Sequence, residues 1–135
     1  MKSIEELNLP KDCRYSQEHE WARVDGERVK VGITDYAQDQ LGEVIYLELP
    51  QVGDTYRKDE VFGSVESVKA VSELFIPIGG EVVGVNSSLR DTPQLVNKSP
   101  YEKGWMIEVK PTNPKDLDDL FTAEGYVGML KKIDE

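Results

Sequence analysis

An Asp-Gly pair between two β-prone segments is the sequence feature that most restricts the fold. Residues 20–24 precede the pair at Asp25-Gly26, and residues 28–33 follow it. Asp-Gly favours the positive φ angles of tight hairpin turns, which makes it the strongest short-range signal for a β-hairpin. Valine or isoleucine occupies every second position of the later segment, so one face of that strand is predicted to be buried. The sequence therefore predicts antiparallel β structure from its first third onward.

The rest of the chain continues this pattern of short β-prone runs broken by turn residues. Further strands are predicted at residues 43–49, 61–66, 71–76, 81–85 and 105–109. Helices are predicted at residues 36–41, from Asn113-Pro114 onward, and at residues 122–133. The chain lacks the strand–helix alternation of a parallel sheet. The predicted fold is therefore mainly β, a small barrel or sandwich with short helices and a helical C-terminus.

Length and charge set the broad class of the protein. The 135 residues fit a single domain, with residues 1–13 as an N-terminal extension, 14–111 as the β core and 112–135 as a C-terminal helical segment. The chain has 16 basic and 26 acidic side chains and a formal net charge of −10, which argues against binding to nucleic acids and anionic membranes. It has no signal-peptide pattern and no apolar run near the ~20 residues of a membrane span, so we expect a cytoplasmic protein.

Few residues of the chain are suited to catalysis or metal binding. Glycine-rich loops for nucleotide phosphates are missing, and a single histidine excludes a site with several imidazoles. Cys13 cannot form an internal disulfide and is expected to be a small buried hydrophobe. Glu18, His19 and Glu20 could suggest a metal cluster or a hydrolase. However, neighbours along a strand point to opposite faces, so we expect a fixed His19 packed near Trp21. The chain is therefore predicted not to be an enzyme.

Lys69 is the residue that a purely structural interpretation explains least well. It lies among small side chains at the tip of the hairpin predicted from residues 61–66 and 71–76. A lysine at such a tip is open to a modifying enzyme, and a group attached to it can swing between partners. Lipoamide and biotin are group carriers of this kind. Position alone leaves open the simpler alternative that Lys69 is a solubilising surface lysine.

Residues 65–70, Val-Glu-Ser-Val-Lys-Ala, resemble the lipoylation site of the H proteins of the glycine cleavage system. Tyr15 and the Glu-His-Glu-Trp run at residues 18–21 are similar to the opening motif of that family. Further family motifs follow in the family's order at residues 31–38, 41–43, 49–50, 77–82, 99–101 and 104–105, together with Asn86, Pro93, Leu95 and Asn97. The resemblance extends from Tyr15 to about Phe121, and the ordered set is far more specific than any one motif.

The resemblance implies a barrel-sandwich hybrid fold of two facing antiparallel sheets, with lipoate bound covalently to Lys69. Its recognition context would be Glu66, Ser67, Val68 and Ala70. The family is a non-catalytic carrier. It takes an aminomethyl group from a pyridoxal-phosphate glycine decarboxylase to a folate-dependent aminomethyltransferase, and electrons to a flavin dihydrolipoyl dehydrogenase. The resemblance also implies a lipoate ligase or lipoyl transferase that attaches the group, and we expect a monomer.

In this family the loaded arm can fold into a surface cleft, and the matching residues here include Glu20, Glu73 and His19. A carboxylate is a suitable electrostatic partner for a cationic amine. Glu18, Gln40 and Glu73, the last where many relatives have Asp, depart from residues common in relatives, so the details of arm docking stay open. Two other interpretations also stay open. One is an H-like protein that serves another lipoate-dependent pathway, such as sulfur oxidation or lipoyl relay, and the other is an unmodified acidic interaction module.

Overall fold

Nine strands and four α-helices make up the part of the chain that the computed structural model describes, residues 1–133. The strands are β1 (Arg14–Tyr15), β2 (Glu20–Asp25), β3 (Arg28–Ile33), β4 (Val44–Glu48), β5 (Thr55–Tyr56), β6 (Val61–Ser67), β7 (Val71–Phe75), β8 (Gly80–Val85) and β9 (Ile107–Pro111). The helices are α1 (Asp35–Leu41), α2 (Ser88–Asp91), α3 (Leu95–Lys98) and α4 (Ala123–Ile133), with 3₁₀ helices at Ile4–Glu6 and Pro114–Asp119. The last two residues of the predicted C-terminal segment, 134–135, lie outside the described residues.

The strands form two antiparallel sheets, as predicted. The larger sheet has the order β1-β2-β3-β9-β8-β5, and the smaller has the order β4-β6-β7. The predicted Asp-Gly hairpin joins β2 to β3, where Asp25 pairs with Arg28 and Gly26 has a φ of 67°. The main core holds buried side chains from both sheets, for example Val31 of the larger and Leu74 of the smaller. The prediction of a mainly β fold of two facing sheets is therefore confirmed.

The C-terminal third departs from the prediction in two places. The segment that begins at Asn113 is a 3₁₀ helix and not an α-helix, although the Asn113 side chain does accept a bond from the amide of Lys115. None of the residues of Pro114–Asp119 is buried, so packing does not support a longer helix there. The last strand begins at Ile107 and not at residue 105, because the Trp105 carbonyl accepts a bond from the Asn86 side chain outside the sheet.

A second, largely aromatic cluster fixes α4 and the first residues of the chain to the larger sheet. The rings of Tyr15 and Tyr126 stack with centroids 4.9 Å apart, and both side chains are fully buried. Of the predicted apolar face of α4, Tyr126 and Leu130 are buried, whereas Ile133 is 54% exposed. Partly buried residues of the N-terminal segment, such as Leu7, pack on the same cluster. The segment before β1 therefore has a defined place against the domain.

Candidate functional site

Lys69 lies at the turn between β6 and β7, where the sequence predicts a hairpin tip. The last strand pair before the turn is Glu66 with Val71, and the Ser67 amide donates to the Ala70 carbonyl over 2.8 Å. Lys69 is exposed, as are its neighbours on both sides. A rigid pair of strands therefore presents an accessible amine.

The buried side chain of Ser67 fixes the backbone of this turn. Its hydroxyl accepts hydrogen bonds from the amides of Lys69 and Ala70, each over 3.1 Å, and donates to the Ala70 carbonyl over 3.3 Å. Outside the turn, the Val68 amide donates to the Glu43 carbonyl over 3.0 Å. The backbone that carries Lys69 is thus fixed, while its side chain stays on the surface.

The aliphatic stem of Lys69 lies against the backbone of Gly42, the residue that ends α1. A Cβ at Gly42 would stand 3.3 Å from Lys69 Cε, and Gly42 has a φ of 77°. Both the left-handed backbone and the close approach favour glycine at this position. The turn that joins α1 to β4 is therefore the surface on which the lysine rests.

A cleft of about 160 Å³ runs beside the hairpin, between the start of β2, α1 and β7. It brings together the three residues expected to dock the arm, Glu20, Glu73 and His19. It also holds Glu18 and Gln40, which with Glu73 are the departures from the family pattern. Glu73 is four residues beyond Lys69, up to roughly 13 Å along a chain that rises ~3.3 Å per strand residue. We call this the hairpin cleft.

Glu20 is a buried carboxyl group in the wall of the hairpin cleft. Only 2% of the residue is exposed, and burial raises its pKa to about 8. The Ser16 hydroxyl donates to Oε1 over 2.8 Å, and the Phe75 amide donates to Oε2 over 3.2 Å. These two bonds hold the carboxyl group in place and partly offset the cost of its burial. With a pKa of about 8, the carboxyl group is mainly protonated and uncharged at neutral pH.

The structure corrects the predicted surroundings of His19. Its Nδ1 lies 2.7 Å from the Tyr126 hydroxyl and its ring lies 4.7 Å from that of Tyr36, whereas Trp21 packs on Tyr101. The cause is the backbone, because the φ of 74° at His19 breaks the strand alternation on which the prediction relied. Burial lowers the pKa of the imidazole, which favours its neutral form.

The other candidate groups offer no second site. Cys13 is 2% exposed, and burial raises the pKa of its thiol to about 12, so it stays a protonated core residue. Within residues 1–133, no group of three or more His, Cys, Asp or Glu side chains could hold a metal ion. No helix in the described part of the chain is long and apolar enough to cross a membrane.

The chain has two facing sheets, a hydrogen-bonded hairpin that presents one exposed lysine, and a cleft beside that hairpin. This arrangement is that of a carrier domain. The family model for glycine cleavage H-protein matches residues 13–133. The glycine cleavage system H proteins of Bacillus licheniformis and Geobacillus kaustophilus are 53% and 56% identical to this chain over 126 residues, 93% of this chain and 99% of each relative. The crystal structure of a glycine cleavage system H protein from Mycobacterium marinum has a TM-score of 0.84 at 37% identity, and the match covers 91% of this chain and 99% of that one.

The chain belongs to the glycine cleavage H-protein family. It is accordingly a non-catalytic lipoyl carrier of the glycine cleavage system. The sequence resemblance to this family is therefore confirmed. Tyr36 and Tyr126 are not predicted from the sequence as parts of the site, because their contacts with His19 join separate segments of the chain. Ser16 is not predicted either, although it bonds to Glu20 only four residues further on.

Proposed function

We propose that Lys69 is the residue of this carrier to which the lipoyl group is attached. The observation that carries the proposal is the braced turn, in which Ser67 holds the backbone amides of Lys69 and Ala70 while the lysine side chain is exposed. An amide link at the Nζ atom would remove the lysine charge without disturbing any of these bonds. Glu66 and Val68 complete the local context that an attaching enzyme, a lipoate ligase or lipoyl transferase, would meet.

The hairpin cleft is the proposed resting place of the loaded arm. When bound, the lipoyl group supplies a disulfide that can accept an aminomethyl group and two electrons. The chain supplies a sheltered surface and charge. Glu20 and Glu73 offer carboxyl groups to a cationic amine, Glu20 from the buried wall and Glu73 from the exposed rim. His19, held by Tyr126, adds a neutral polar wall.

The proposed partners are glycine decarboxylase, the aminomethyltransferase and dihydrolipoyl dehydrogenase. Membership of the family supports this set, and the net charge of −10 supports rapid encounter with partners that present basic surfaces. A cytoplasmic location and a monomeric state stay predictions from the sequence.

Replacement of the lysine tests the attachment site. The wild-type chain, produced in a host with lipoylating enzymes, is expected to gain the mass of one lipoyl group, which peptide mapping should place on Lys69. Lys69→Arg should abolish the gain, whereas the matched change Lys110→Arg, at an exposed lysine of β9, should leave it intact. An unmodified wild-type protein, or a modified Lys69→Arg protein, would contradict the proposal.

A further inference from the structure

A chain of hydrogen bonds joins α3 to the turn on which the carrier lysine rests. The Asn97 side chain of α3 makes three of them. Its Oδ1 accepts from the Val44 amide over 2.9 Å, and its Nδ2 donates to the Gly42 carbonyl over 2.8 Å and to Gln38 Oε1 over 3.1 Å. One amide side chain therefore holds the backbone on both sides of Glu43.

Glu43 is the residue whose carbonyl supports the hairpin tip. Its oxygen accepts the bond from the Val68 amide, and the adjacent Gly42 lies against the stem of Lys69. A displacement of the 42–44 segment would therefore move both the backbone next to the lysine and the surface below its side chain. Asn97 touches neither Lys69 nor the hairpin cleft in these contacts, so any effect it has on the lysine passes through this segment.

The bonds continue from Gln38 into the buried part of α1. Gln38 Nε2 donates to Asp35 Oδ1 over 2.7 Å, and Asp35 is 2% exposed. The carboxylate of Asp35 also accepts bonds from Lys2 Nζ and from the Asn8 amide, each over 2.8 Å. The side chains of Asn97, Gln38 and Asp35 thus bond to one another in turn. Because each bond restricts the next, we expect these side chains and the backbone that they hold to be rigid.

We infer that Asn97, supported by Gln38, is a positioning residue for Lys69. It fixes the 42–44 segment and so determines how the lysine is presented to the enzyme that attaches the lipoyl group. The inference rests on the proposed attachment at Lys69. It predicts an effect on attachment beyond any loss of overall stability, which a purely structural role for Asn97 would not produce.

Asn86 provides a matched control in the same chain. Its side chain also makes three hydrogen bonds, here all to backbone, because its Nδ2 donates to the carbonyls of Lys103 and Trp105 and its Oδ1 accepts from the Ser88 amide. These bonds hold the loop before β9 and the start of α2 rather than the support of the hairpin tip. Asn97→Ala and Asn86→Ala therefore remove similar bonds at different places.

The test measures lipoylation of the unmodified full-length chain by a lipoate ligase with lipoate and ATP, together with hydrogen exchange at the Val68 amide. Asn97→Ala should lower kcat/KM for the carrier by about tenfold, since a small misplacement of a reacting group has effects of this order or larger. Exchange at Val68 should become about tenfold faster. The free energy of unfolding of Asn86→Ala is measured as well, so that any loss of stability is taken into account. Its kcat/KM and its Val68 exchange rate should both stay within about twofold of wild type.

Asn97→Asp serves as a second variant if the alanine variant does not fold. It keeps the acceptor for Val44 but loses the donor to Gly42, and it should retain a fold while showing faster Val68 exchange. Unchanged Val68 exchange in the folded Asn97 variants, or losses equal to those of Asn86→Ala, would overturn the inference. If the ligase does not modify the wild-type chain, the proposed attachment at Lys69 is contradicted. The exchange rates at Val68 then test on their own whether Asn97 positions the hairpin tip.

Discussion

The tip of the β6–β7 hairpin and the hairpin cleft lie on the same two strands but are built differently. The turn itself is closed by bonds between residues no more than three apart, centred on the Ser67 hydroxyl. The cleft has walls from β2, α1 and the hairpin, and its buried Glu20 meets the Phe75 amide across 55 residues of sequence. The tip is exposed and closed mainly by local bonds, with one support from the Glu43 carbonyl, whereas every wall of the cleft depends on the assembled fold.

This difference matches the two roles proposed for the tip and the cleft. Attachment needs an accessible amine on a fixed backbone, which the turn supplies together with the Glu43 carbonyl that supports it. The proposed shelter of the arm draws on a desolvated carboxyl group, which packing of the fold supplies. Changes at the tip should therefore alter how the lysine is modified, and changes in the cleft should alter charge and cargo retention.

The largest expected effect is on the pH dependence of stability, through Glu20. Its pKa rises from 4.5 in the unfolded reference to about 8 in the fold, so between these values the folded chain binds more protons than the unfolded chain. The free energy of unfolding contributed by this group is therefore fully present below pH 4.5 and is lost as the pH rises through 8. Glu20→Gln resembles the protonated form and should remove this loss. At pH 8 its free energy of unfolding should therefore be about 3 kcal/mol higher than that of wild type.

Denaturant unfolding of both proteins at pH 5 and pH 8 measures this difference. At pH 5 the free energies of unfolding of the two proteins should agree more closely, because the carboxyl group of the folded wild type is then largely protonated. This comparison serves as the internal control. Equal changes in wild type and variant between the two pH values would show that Glu20 is not the buried acid inferred here.

The next effect is on the tip, through Ser67→Ala. The change leaves the amides of Lys69 and Ala70 without their common acceptor, and a lost hydrogen bond of this kind is worth about 1 kcal/mol. We expect the rate of enzymatic lipoylation to fall about fivefold, as the turn samples other conformations. Ser72→Ala, at an exposed serine of the same hairpin, is the control and should lipoylate at the wild-type rate.

Ser67→Ala also sharpens the comparison between tip and cleft. The difference in stability between pH 5 and pH 8 that Glu20 produces should persist in this variant, because none of the three bonds of Ser67 involves the cleft. Loss of that pH dependence would mean that tip and cleft form one unit.

The contrast also explains what could be predicted from the sequence. The Asp25-Gly26 turn and the hairpin around Lys69 follow from local patterns and are confirmed. The two facing sheets are confirmed as well, but they are implied by the family resemblance, since the local patterns leave a barrel and a sandwich open. The bond from His19 to Tyr126 spans 107 residues, and the bond from Asn97 to Val44 spans 53. Such contacts arise when the sheets close, and no spacing in the sequence specifies them.

Backbone conformation caused the clearest wrong prediction. The expected packing of His19 near Trp21 assumed regular strand alternation, but the positive φ at His19 turns its side chain toward Tyr36 and Tyr126. Motif order nevertheless placed His19 among the residues that line the hairpin cleft, because resemblance to relatives carries information on tertiary position that alternation lacks.

The smallest expected effect concerns retention of cargo by the two acidic residues of the cleft. A carboxylate in a desolvated wall interacts more strongly with a cationic amine than one at an exposed rim, where the typical gain is only about 0–1 kcal/mol. Above pH 8, where the Glu20 carboxyl group is mainly ionised, Glu20→Gln should therefore speed loss of a bound aminomethyl group to water about threefold, and Glu73→Gln by less than twofold. Both effects are measured on protein that is lipoylated at Lys69 and loaded by glycine decarboxylase. The rate at which the aminomethyl group is then released is compared with that of wild type. A larger effect from Glu73 than from Glu20 would reverse the assignment of wall and rim, because the buried carboxyl group would then not be the one that the amine meets.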